Sequence, residues 1–115
     1  MGLAYVNRIR GKKAENLELA IAAFEASLKI WIRDAFPEDW AGCQNNLGMA
    51  YLYRITGEKA ENLELAIAAF EASLSIYTRD AFPIEWADSQ NNLANAYVSR
   101  IRGEKAENLE LAIAA

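Results

Sequence analysis

The chain has 115 residues, 53% of them hydrophobic and 24% charged, with a formal net charge of −4 and one cysteine, Cys43. That length fits one compact unit, the mild negative charge argues against nucleic-acid binding, which shows a basic stripe, and a single thiol excludes an internal disulfide and points to a reducing compartment. Apolar runs such as Leu65–Phe70 fall far below the ~18 residues of a membrane span, and no N-terminal leader pattern precedes the charged stretch Asn7 to Lys13, so a soluble, cytoplasmic chain without membrane contact is expected.

Residues 1–36 open inside a repeating unit. Tyr5, Tyr51 and Tyr97 stand 46 apart, as do Gly11, Gly57 and Gly103. Met1 aligns with Leu47 and Leu93, in the middle of a helical pattern. The stretch AENLELAIAAFEASL at Ala14–Leu28 predicts a second helix, and Phe36-Pro37 ends the unit, because proline disfavours helical geometry at the residue before it.

Residues 37–82 form the complete unit, in which Ala14–Leu28 returns unchanged as Ala60–Leu74. Its second helix is predicted from Lys59 or Asn62 to Thr78. Leu63, Ala66, Ile67, Phe70, Leu74 and Tyr77 make one apolar face, and Leu65, Ala69, Ala72 and Ile76 make another. Apolar residues on two sides imply a helix packed between two neighbours. Ala66, Ala69 and Ala72 allow close approach and favour the helix.

Residues 83–115 repeat the first helix and begin the second. Pro83 suits the first helical position and Glu85 the first turn. Trp86, Leu93, Tyr97 and Ile101 fall on one stripe, and Gly103 is the expected stop, with Gly57 and Gly11 marking the same point in the other copies. AENLELAIAA at Ala106–Ala115 starts the third copy of the second helix. A fixed period of this size marks a solenoid, in which each unit buries its apolar face against the next. The expectation is an all-α solenoid of antiparallel helix hairpins with six helices, the first and last truncated, in one domain over residues 1–115. It divides into a partial repeat at 1–36, a full repeat at 37–82 and a partial repeat at 83–115.

Leu47-Gly48, Tyr51, Ala66, Phe70 and Ser73, with Leu93-Ala94 and Tyr97 in the next copy, resemble the signature of the tetratricopeptide repeat family. Fifteen residues separate Tyr51 from Ala66 and twenty separate Ser73 from Leu93, each about six more than in ordinary members. The QNNL run and the proline before the tryptophan look like the long-repeat branch typified by kinesin light chains, and the near-identical copies look like tandem arrays of cyanobacterial and other bacterial signalling proteins. The resemblance implies a right-handed superhelix whose first helices line a concave surface, with an asparagine at the position of Asn46 and Asn92 touching the backbone of a bound peptide.

An amide side chain suits that work, offering both donor and acceptor to a peptide bond. Asn45 and Asn91 stand beside these two residues, and the competing reading of all four is that they tie adjacent helices together. Further along the same face come Met49 and Tyr53, replaced by Asn95 and Ser99 in the next copy. Varied side chains over a held framework are what a tuned peptide groove would show. Arg8, Arg54 and Arg100 read as an ion-pair ladder between units, and Trp40 and Trp86 as packing between units. No histidine is present to activate Cys43 or a hydroxyl, no phosphate loop or oxygen cluster for a metal appears, and no catalysis, cofactor or metal is expected.

Two functions follow as expectations. The first is a non-enzymatic interaction scaffold that binds a peptide or partner protein along the first helices. The second is a self-assembly module in which Leu109, Ala112 and Ile113, on a half-built apolar face, drive homo-oligomers through repeat ends or helix exchange.

Overall fold

The computed structural model describes the backbone over residues 2–114 and the side chains over residues 11–105. Four helices occur among the described residues, α1 (Gly2–Ser27), α2 (Pro37–Leu52), α3 (Lys59–Leu74) and α4 (Pro83–Ala114), with no strand. They stack in chain order: α1 on α2, α2 on α3 and α3 on α4, with a smaller contact between α2 and α4.

The turns between units are built twice from the same parts. Pro37 begins α2 with Glu38 and Asp39 in its first turn, where negative charge suits the exposed N–H groups. Phe36 offers no capping side chain. Its own N–H instead bonds Ile32 O at 2.8 Å, and Trp40 N–H bonds Phe36 O at 2.9 Å. Phe82 and Trp86 repeat both bonds at 2.8 Å. Trp31 meets Phe36 edge to face at 5.0 Å, Tyr77 meets Phe82 at 5.4 Å, and Arg33 and Arg79 lie over Trp40 and Trp86. The recurring tryptophans therefore brace these turns.

The core forms where α2 and α3 are each packed on two sides. Leu52, Leu63, Ala66, Ile67, Phe70 and Ala96 make one buried cluster, and Ile21, Leu47 and Ala50 make a second. Phe70 is fully buried, which contributes about 1.5–3 kcal/mol relative to leaving it in water. Its ring lies so close to α2 that a Cβ built on Gly48 would stand 2.6 Å from Cε1. Glycine at that position is what lets the two helices approach.

Among the described residues there are four helices where six were expected, and the reason lies at three equivalent glycines. Gly57 adopts φ +80° and turns the chain between α2 and α3. Gly11 and Gly103 have no such backbone, and α1 and α4 run straight through them. The bent copy is gripped from outside: Arg54 and Thr56 both donate to Glu18 of α1, and Asn62 Nδ2 donates to Thr56 O at 2.9 Å. Arg10 and Arg102 replace Thr56 in the straight copies, and arginine favours helix more than threonine does. A second difference is the end of α3, which stops at Leu74 and not at Thr78. Ile76 N–H donates to Ser73 O at 3.1 Å, as Ile30 N–H does to Ser27 O at 3.0 Å where α1 ends, so the last turn tightens and leaves the helix at both copies.

Candidate functional site

Neighbouring units are joined by polar clasps that recur with the period. Arg54 holds Glu18 with two bonds, Nε to Oε1 at 2.6 Å and Nη2 to Oε2 at 2.9 Å, and Arg100 holds Glu64 at 3.1 Å. The fork geometry orients the pair as well as attracting it. Tyr51 donates to Glu25 at 2.8 Å and Tyr97 to Glu71 at 3.1 Å. The arginine ladder expected from the sequence is thus present at two rungs, each arginine also lying over its tyrosine.

These clasps shift the titration of their members. The bonds from Arg54 and then Thr56 hold the Glu18 carboxyl below its ordinary value. Burial, followed by the bond to Glu25, pushes Tyr51 up to about 12. Tyr97 is raised by its bond to Glu71 and then by burial. Burial pushes the Cys43 thiol up, with Asp39 adding to the effect.

The expected site residues divide into two groups. Asn45 and Asn92 belong to an internal link: Asn45 Oδ1 accepts from Ser89 Oγ and from Asn92 Nδ2, both at 3.3 Å, and Ser89 lies 3.5 Å from the buried Ser73. This link ties α2, α3 and α4 together. Asn46 and Met49 on α2, Tyr53 just after it, and Asn91 and Asn95 on α4 are exposed, and Ser99 is half-buried. Tyr53, Asn95 and Ser99 come together on the side where α2 meets α4. They line a shallow pocket of about 310 Å³ with Leu52, Lys59, Val98 and Arg102. Lys59 also reaches Leu52 O at 3.4 Å, which keeps its ammonium at the mouth. Lys59 and Arg102 did not stand out in the sequence as site residues. Their signal was weak, since each reads as an ordinary charge beside a recurring glycine. Leu109, Ala112 and Ile113 lie outside the residues whose side chains are described.

A tetratricopeptide repeat model matches residues 86–114. No curated protein and no solved structure matches the chain. The matched tetratricopeptide residues cover α4 from its first turn to its end, and the same pattern one period earlier spans α2, the Gly57 turn and part of α3. Tetratricopeptide repeats generally mediate protein–protein interaction and are typically not enzymes. Among the described residues, no helix is long and apolar enough to cross a membrane.

Proposed function

We propose that the chain is an interaction scaffold that receives a peptide segment of a partner protein along the α2–α4 side. The observation that carries this reading is the pocket shared by Tyr53, Asn95 and Ser99, three residues that differ between copies while the framework repeats. Tyr53 offers a rigid apolar ring with a polar tip. Asn95 and Ser99 offer donors and acceptors to a peptide backbone. Lys59 and Arg102 make the mouth positive, which favours an acidic group on the ligand at that end. Asn46 and Met49 extend the surface along α2, and Asn91 extends it along α4.

In this reading the partial repeat 1–36, the full repeat 37–82 and the partial repeat 83–115 act as one solenoid unit. The superhelical, long-repeat character implied by the resemblance belongs to the same proposal, as does work in the cytoplasm without nucleic acid or membrane. Asn92 has a mainly architectural part, because its Nδ2 is already given to Asn45.

A peptide-array screen followed by titration of one bound peptide against variants tests the proposal. Tyr53→Ala and Asn95→Ala are each expected to weaken binding about tenfold, the equivalent of ~1.4 kcal/mol. Asn92→Ala is expected to lower unfolding stability more than affinity. Parental affinity in both Tyr53→Ala and Asn95→Ala would remove the groove from the account.

A further inference from the structure

The molecule carries two open faces that are halves of a contact it already makes internally. Within the chain, α2 presents Gly48 and Leu52 to α3, with Ala41 two turns earlier on the same stripe, and all three are buried. One period later, α4 carries Ala87, Ala94 and Val98 at the same positions, and all three are exposed, Val98 at 45% against 7% for Leu52. On the other partner, α3 buries Asn62, Ala66, Ala69 and Phe70 between its two neighbours. Their counterparts on α1 are Asn16 and Ala23, which are exposed, and Ala20 and Phe24, which are only half-buried. The sequence Ala14–Leu28 is identical to Ala60–Leu74, so α1 carries every side chain that α3 uses between those positions.

Within one molecule these faces do not meet, because α1 and α4 make no contact among the described residues. Among the described residues, the segment after Gly103 does not cover the α4 face either. A turn at Gly103 like the one at Gly57 would bring residues 106–114 back along α4, but α4 continues straight. The straight course of α1 through Gly11 gives the other helix the same form. Two such helices laid antiparallel match in sequence, since the part of one that repeats a unit's first helix then faces the part of the other that repeats its second helix.

We propose that a second copy of this chain docks head to tail, α1 of one molecule against α4 of the next, reproducing the α2–α3 contact between molecules. The two faces differ, so the contact is heterologous and propagates unless a ring closes. Ala94 stands where α2 has Gly48, and a Cβ there meets the phenylalanine ring. The intermolecular contact is therefore wider and weaker than its internal model, which makes the assembly reversible. Val98 belongs both to this face and to the peptide groove, but Ala94 does not line that pocket, so variants at Ala94 test the docking separately from the groove.

Light scattering on the whole chain across a hundredfold concentration range tests it, and the expected mass rises with concentration. Ala94→Asp is expected to hold the protein at monomer mass with its helical circular dichroism unchanged, since Ala94 is exposed in the single molecule. Ala94→Gly is expected to shift association to roughly tenfold lower concentration. For a direct readout, Ala94→Cys and Ala20→Cys are prepared separately in a Cys43→Ser background and mixed with a short bis-maleimide. A cross-link that needs both variants supports the proposal. Monomer mass at every concentration, oligomers undiminished by Ala94→Asp, or cross-links formed by Ala94→Cys alone would each overturn it. So would an intrachain cross-link in monomeric Ala94→Cys/Leu109→Cys, which would mean that the chain's own last segment covers the face.

Discussion

Gly48 shows how one missing methyl group sets the distance between two helices. Its place beside the ring of Phe70 leaves no room for a Cβ, and Phe70 is fully buried with nowhere to move. Gly48→Ala should gain up to about 1 kcal/mol of helix propensity and lose more through overpacking, on the order of 1–3 kcal/mol. The net expectation is a lower urea midpoint, and a higher one would mean that α2 and α3 have slack. Much at this scale was readable from residue types: the apolar faces of Leu63, Ala66, Ile67 and Phe70 sit in the core as their spacing requires. The asparagines were not resolved in the same way. Four amides at periodic positions can bond within a unit or across units, and both choices look identical in a sequence of copies. Asn45 and Asn92 chose the bond across units.

At the scale of elements, Gly57 and Gly103 occupy the same place in the repeat and do opposite things. Gly57→Ala forces an L side chain into φ +80°, which costs on the order of 1–2 kcal/mol. Gly103→Ala replaces a glycine inside a continuous helix with open space around it, and should stabilise α4 by up to about 1 kcal/mol. Chemical denaturation of the two variants should therefore give shifts of opposite sign, and shifts of the same sign would mean that both sites share one conformation. Glycine permits the turn and does not command it, which is why reading every Gly as a stop gave two helices too many. The deciding groups, Glu18 on α1 and the Asn62 side chain on α3, are distant or on the far side of the turn. The early end of α3 was hidden for a related reason. Its apolar spacing continues to Tyr77, while short-range backbone bonds tighten the last turn, as they do at the end of α1.

The whole molecule is held as a stack by clasps with opposite pH responses. Glu18 titrates below its ordinary range when folded, so the unfolded state takes up a proton first as pH falls. Stability from this clasp is present above the ordinary carboxylate range and lost on descending through the lowered folded value. Glu18→Gln should flatten the acid limb of a stability–pH curve, and an unchanged slope would show that the clasp is too solvated to matter. Tyr51 behaves in the reverse sense. Its proton is retained in the folded state to about pH 12, while an unfolded tyrosine loses it near pH ~10. Stability should decline across that interval, and Tyr51→Phe should decline less steeply when unfolding is followed by circular dichroism.

A bound segment would meet a surface with its pitch already fixed. Because the Asn45 oxygen is shared by Ser89 and Asn92, α4 cannot swivel against α2 without giving up two bonds at once. The interval between side chains offered by successive units therefore works like the marks on a ruler. A ligand of the proposed groove would be selected by whether its own spacing agrees with those marks, as well as by the chemistry at any one of them.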